Sequence, residues 1–114
     1  MDNYLLVYRM EYKPVPTATP DQAAAMTKRW MDWITGLQAK NELVDRGNRL
    51  ESASGKVVKP NNVVTNGPFA EIKESIGGYS IIKAENYEQA VEIAKGCPIL
   101  SVGGQVEVRL VSIM

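Results

Sequence analysis

The sequence predicts an α+β domain in which two helices cover one face of a mainly antiparallel sheet. Short alternating apolar stretches predict strands near both ends of the chain and in its middle, and two stretches with helical periodicity separate them. The resulting order is strand, helix, strands, strand, helix, strand. With 114 residues, of which 45% are hydrophobic, the chain suffices for one core, so we assign residues 1–114 to a single domain.

The first half of the chain is predicted to contain a strand, a long helix and several short strands. Residues 4–9 form the first strand, which is apolar on both sides and therefore expected to be covered on both faces. Thr19, Pro20 and Gln22 have the pattern of a capped helix start, and the helix is expected to end near Lys40. Its buried stripe comprises Met26, Trp30, Trp33, Ile34 and Leu37. Short strands are then expected at residues 49–53, 56–59 and 62–65.

The second half begins with a turn at Asn66, followed by a charged run, a glycine pair and a strand over residues 79–84. Asn86 is the predicted cap of a second helix, which ends around Gly96 and Pro98. The last strand is expected at residues 105–113. Its even positions are apolar, whereas Glu107 and Arg109 share the other face.

The simplest topology for this order is the split βαβ, ferredoxin-like arrangement. The helices cover one face of its sheet, and the other face keeps apolar residues of the first strand together with Val111 and Ile113. An uncovered apolar face usually marks an interface. We therefore expect a homodimer that stacks two sheets face to face.

Composition argues against several classes of function. The 13 basic and 13 acidic residues balance, which argues against a nucleic-acid partner. The early apolar run is too short for a membrane span, and a single cysteine fits a reducing cytoplasm. The sequence has no histidine, so His-based metal sites and catalytic triads are excluded. Neither glycine pair opens a helix after a strand, so we expect no phosphate loop, no cofactor and no metal.

Two stretches carry a resemblance to a known family. Residues 66–98 read NGPFAEIKESIGGYSIIKAENYEQAVEIAKGCP, and residues 103–111 read GGQVEVRLV. They resemble the YCII-related family, in particular its DGPF branch, which is marked by an Asp-Gly-Pro-Phe turn. The resemblance implies a ferredoxin-like dimeric α+β barrel in a bacterial cytoplasm. It also implies a role that is mostly unassigned, with some relatives similar to enzymes and others linked to sigma factors.

The chain departs from the family pattern at two points. The turn aspartate is replaced by Asn66, which keeps the turn geometry but cannot ionise, and the histidine of many relatives has no counterpart. A His-Asp dyad is therefore absent. We predict no catalytic residue, and whether the chain is an enzyme stays open.

The candidate ligand-binding residues are Arg109, Glu107, Asn66, Glu71 and Lys73. Arg109 and Glu107 are predicted to anchor a ligand carboxylate in an apolar pocket between stacked sheets. Alternatively, they form an inter-strand or inter-subunit ion pair that fixes the register. Glu71 and Lys73 follow the Asn66 turn and would lie over the pocket mouth, or else belong to a solvated loop. Trp30, Trp33 and Cys97 are expected in the core.

Three functions remain open. The favoured one is a non-catalytic dimer that binds a small carboxylate or aromatic ligand, or acts as an accessory protein. The second is a cofactor-free enzyme, such as a monooxygenase, isomerase or hydrolase, with its site between the stacked sheets. The third is a protein-interaction module linked to transcription regulation.

Overall fold

The computed structural model describes residues 1–11, 19–51, 54–66 and 74–112. These residues form two α-helices and six strands, with short 3₁₀ turns at Pro60–Asn62 and Pro98–Val102. In chain order the elements are β1 (Asp2–Glu11), α1 (Pro20–Ala39), β2 (Leu43–Asp45), β3 (Lys56–Lys59), β4 (Val63–Asn66), β5 (Glu74–Ala84), α2 (Tyr87–Ala94) and β6 (Gln105–Leu110).

The main sheet has the strand order β2-β5-β1-β6, and each neighbouring pair is antiparallel. Strand β5 lies between β1 and β2, which α1 connects, so the topology is a split βαβ. This confirms the predicted α+β, ferredoxin-like class. Strands β3 and β4 form a separate two-stranded hairpin inserted between β2 and β5.

Both helix starts are capped as the sequence predicts. The Thr19 Oγ1 atom accepts from the Gln22 amide at 3.2 Å, and the Gln22 side chain accepts from the Thr19 amide at 3.0 Å. At α2, the Asn86 Oδ1 atom accepts from the Gln89 amide at 2.9 Å. Each cap satisfies amide groups that have no partner inside the helix, so each fixes where the helix begins.

The core lies between the sheet and the two helices. The Tyr8 ring meets the Trp30 ring edge-on, with centroids 5.0 Å apart, and the Tyr4 ring meets Tyr87 of α2 in the same way. Even-numbered residues of β1 therefore face the helices. The odd-numbered residues face the opposite side, over which the described chain places no helix, so the covering of that side by a second copy stays a prediction.

Three predicted strand boundaries are wrong. Residues 49–51 do not form the strand predicted at 49–53: Arg49 makes an isolated bridge to Gly78, and residues 52–53 lie outside the described part. Strand β5 starts at Glu74 because β1 extends to Glu11 and pairs with it. Strand β6 stops at Leu110, and Ile113 lies outside the described residues.

The glycine pair in β5 is a bulge, as the sequence predicts. Tyr8 pairs with Gly78 and Arg9 pairs with Ile76, so Gly77 is the extra residue. A Cβ on Gly78 would lie 2.7 Å from the Asn48 carbonyl oxygen. The chain after β2 can therefore approach β5 closely only because this position has no side chain.

Candidate functional site

The candidate site lies on the sheet face that points away from the helices, which we call the open face. Residues directly opposite each other in antiparallel strands share a face. Leu5 pairs with Ile81 on one side and Arg109 on the other, and Val7 pairs with Tyr79 and Glu107 in the same way. The open face is defined by Leu5, Val7, Arg9, Tyr79, Ile81, Glu107 and Arg109.

Three of these residues form a cluster of charges, the Arg9–Glu107–Arg109 cluster. The Arg9 Nε atom donates to Glu107 Oε1 at 2.8 Å, and the Arg109 guanidinium donates to Glu107 Oε2 at 3.0 Å. One carboxylate thus serves two guanidinium groups, and the cluster keeps one positive charge. The Arg109 side chain is 68% exposed, against 23% for Arg9. Arg109 is therefore the cation with N–H groups left to bind a further anion.

The cluster holds Glu107 in its ionised form. Hydrogen bonds from Arg109 and from Arg9 lower the pKa of the Glu107 carboxyl below its ordinary value of 4.5 and outweigh the opposing effect of burial. A carboxylate with a lowered pKa is a weaker proton acceptor at neutral pH. Glu107 is thus arranged as a fixed negative charge between two cations.

We predict a pH dependence of stability from this shift. The Glu107 carboxyl has a lower pKa in the folded protein than in the unfolded chain, so between these two pKa values the unfolded state binds more protons. The contribution of ionised Glu107 to the free energy of unfolding is therefore complete above pH 4.5. It is lost as the pH falls through the pKa of the folded state. Urea unfolding between pH 2.5 and 6 should show a steeper pH slope for the parent than for Glu107→Gln. Glu92→Gln is the control, because Glu92 pairs with Lys95 on the exposed surface of α2. Equal slopes for the parent and Glu107→Gln would contradict the prediction.

The structure brings together only two of the five predicted ligand-binding residues within the part of the chain that it describes. Glu107 and Arg109 are in contact, but Glu107 also makes the inter-strand pair with Arg9 that the alternative interpretation requires. The Asn66 side chain accepts from Lys56 at 2.7 Å across the separate hairpin. Glu71 and Lys73 lie outside the described residues.

Arg9 is the cluster member that sequence analysis missed. The sequence places it only at the end of the first predicted strand, residues 4–9. The period of two along β1 does place it on the same side as Leu5 and Val7. Its meeting with Glu107 depends on the register between β1 and β6, which are far apart in sequence.

A groove lies on the helix side of the sheet, between α1 and α2. It has a volume of about 470 Å³, and its lining includes the apolar residues Trp33, Leu37 and Ile93 and charged residues such as Lys40 and Glu42. Cys97 is buried near the end of α2, as predicted, and burial raises the pKa of its thiol to about 11. The thiol therefore remains protonated at neutral pH.

Among the described residues, no group of three or more Cys, Asp or Glu side chains is placed to hold a metal ion. Within the same residues, neither helix combines the length and the apolar character that crossing a membrane requires.

The family model described as the YCII-related domain matches residues 4–114, which is nearly the whole chain and includes both the open face and the hairpin. No curated protein matches the chain.

Proposed function

Because the chain belongs to the YCII-related family, we propose that it is a non-catalytic homodimer that binds a small aromatic carboxylate between two stacked open faces. The proposal places the chain in the DGPF branch of the family and in a bacterial cytoplasm. Asn66, which contacts Lys56 within the hairpin, has no part in this binding, which depends on the open face.

The observation that carries this proposal is the Arg9–Glu107–Arg109 cluster at the edge of an apolar floor. Leu5 and Val7 lie directly beside Arg109 and Glu107 in the sheet, and Ile81 and Tyr79 continue the floor on the next strand. A flat apolar ring fits such a floor, and a carboxylate fits the exposed guanidinium of Arg109. The excess positive charge of the cluster favours an anion over a cation.

The charges support binding rather than acid-base catalysis. A general base at neutral pH works best with a pKa near the working pH, which for a carboxylate requires a raised pKa. The pKa of Glu107 is lowered instead. Burial raises the pKa of the Tyr8 hydroxyl above its ordinary value of 10.0, and Tyr8 faces the helices rather than the open face.

The test is a thermal-shift titration with benzoate and salicylate as probes and cyclohexylammonium as the cationic comparison. A ligand at about 100 times its Kd should stabilise the protein by roughly 2.7 kcal/mol, which is on the order of 10 °C for a chain of this length. The shift should disappear in Arg109→Ala. It should persist in Arg29→Ala, because Arg29 lies on α1 and donates to Ser101, on the helix side of the sheet.

Light scattering at micromolar concentration completes the test. We expect twice the chain mass of 12.6 kDa. A mass of one chain would contradict the stacked dimer. Equal shifts in the parent and in Arg109→Ala would place the carboxylate elsewhere and leave the cluster with a structural role.

A further inference from the structure

Residues Lys56–Asn66 form a hairpin that consists of β3, the 3₁₀ turn and β4. Within the part of the chain that the structure describes, this hairpin has no partner strand in the main sheet. Among the described residues, its strands pair only with each other. An isolated two-stranded hairpin is at best marginally stable in water. We call this element the arm.

The arm exposes apolar side chains on both faces: a valine pair on one, and Val63, which is 51% exposed, on the other. Val58 and Val64 are directly opposite each other across the two strands, so they lie side by side on the same face. Val58 is 72% exposed and Val64 is 53% exposed. A cross-strand valine pair in this environment gains stability only when another surface covers it.

The arm also differs from the rest of the chain in charge. It contains Lys56 and Lys59 and no acidic residue. Because the whole chain carries 13 basic and 13 acidic residues, the remainder of the chain has a formal excess of two negative charges. The net charge of the arm is therefore opposite in sign to the net charge of the remainder of a second copy.

Interface area gives a further reason for a second copy, which takes the proposed stacked dimer as its premise. The molecule is 44 × 43 × 18 Å, and its sheet has four strands. Four strands about 4.8 Å apart and about 25 Å long present roughly 500 Å² per open face. A stable interface buries about 800 Å² per partner. Stacked open faces alone fall short of that area.

Two arms supply most of the missing area. Two strands of four residues present a face of roughly 130 Å². Each protomer would bury one face of its own arm, and the partner's arm would cover an equal area of its body. Together these two surfaces add roughly 250 Å² to the area that each protomer buries. In chain order the arm lies between β2 and β5. Strand β5 begins at Glu74, at the same end of the sheet as Arg9 of the neighbouring β1.

We infer that the arm of each protomer packs its Val58 and Val64 face against the body of the second copy and clasps the dimer. This inference rests on the proposed stacked dimer. It assigns the hairpin insertion a role in assembly that is separate from the ligand-binding role of the open face.

The experiment measures the dimer dissociation constant by analytical ultracentrifugation for three variants. In Val58→Lys/Val64→Lys, both arm valines are replaced, and we expect the dissociation constant to rise at least tenfold. Val102→Lys is the matched control, because Val102 is a valine with 50% exposure in the 3₁₀ turn before β6, outside the arm. Ile81→Lys changes the open face. Circular dichroism establishes that each variant is folded.

The outcomes distinguish the clasp formed by the arm from the dimer stacked through its open faces. A dimer weakened by the arm variant and by Ile81→Lys, but not by Val102→Lys, supports both. A dimer weakened by Ile81→Lys alone overturns the clasp and leaves the stacked dimer standing. A dimer weakened by the arm variant alone overturns the stacked open faces and shows the arm to be the main contact. A parent protein that is monomeric overturns both.

Hydrogen exchange of the parent provides a second measurement that needs no substitution. Amides of Val58 and Val64 should exchange at least tenfold more slowly at concentrations where the dimer forms than at concentrations where it dissociates. Exchange at these amides that does not change with concentration would overturn the clasp.

Discussion

Replacing Gly47 with alanine should destabilise the protein by about 2–6 kcal/mol, because positive-φ strain and overpacking each typically cost 1–3 kcal/mol. Gly47 has a φ of 70°, which disfavours any residue with a Cβ. A Cβ there would also lie only 1.7 Å from the Tyr79 carbonyl oxygen. The chain after β2 would have to move away from β5, and the edge of the main sheet would separate.

Two further glycines serve as comparisons, one with positive-φ strain alone and one with neither cause. Gly103 has a φ of 84°, but a Cβ there would meet nothing within 4 Å, so Gly103→Ala should show the backbone strain alone, about 1–2 kcal/mol. Gly36 lies inside α1 with open space around it, and Gly36→Ala should stabilise the protein by up to about 1 kcal/mol. Urea unfolding of the three variants measures the series. Equal effects at Gly47 and Gly103 would contradict the predicted overlap with Tyr79.

Replacing Ser80 with alanine should destabilise the protein by about 2–6 kcal/mol. Ser80 is 1% exposed, and its hydroxyl links two other groups. It accepts from the Tyr8 hydroxyl at 2.7 Å and donates to the Arg46 carbonyl at 2.6 Å. Alanine would leave the Tyr8 hydroxyl and the Arg46 carbonyl without their partner. Each unsatisfied group lowers the free energy of unfolding by about 1–3 kcal/mol.

A double-mutant cycle tests this linkage. Tyr8→Phe removes the hydroxyl that Ser80→Ala leaves unpaired, so the double variant should be more stable than the sum of the single effects predicts. Ser112→Ala is the control, because Ser112 is exposed near the end of the described chain. Thermal and urea unfolding should give a coupling above about 0.5 kcal/mol between Tyr8 and Ser80. Strictly additive effects would contradict the buried chain of hydrogen bonds.

Local sequence signals predicted the parts of the fold that local interactions determine. The caps at Thr19 and Asn86 and the glycine bulge in β5 depend on residues close together in the chain, and the structure confirms them. The boundaries that were wrong depend on distant partners. Strand β5 starts early because β1 is long enough to pair with it, and no residue near Glu74 indicates the length of β1.

The same distinction applies to the candidate site. Glu107 and Arg109 were placed on one face by the period of two along β6, which is a local property. Arg9 was missed because its contact with Glu107 is set by the pairing of β1 with β6. The separate hairpin was predicted only as two short strands around Pro60 and Asn61. Its failure to join the main sheet is a tertiary feature that local patterns do not contain.

The central position of β1 has a consequence for how the chain acquires its structure. Both strands that β1 pairs with are supplied late: Tyr8 and Ser80 are separated by 72 positions, and Arg9 and Glu107 by 98. At a synthesis rate of about 5–20 residues per second, β1 waits roughly 5–20 s for its second neighbour. High contact order of this kind slows folding. During that interval the apolar strand is exposed, which makes the nascent chain a candidate for chaperone binding.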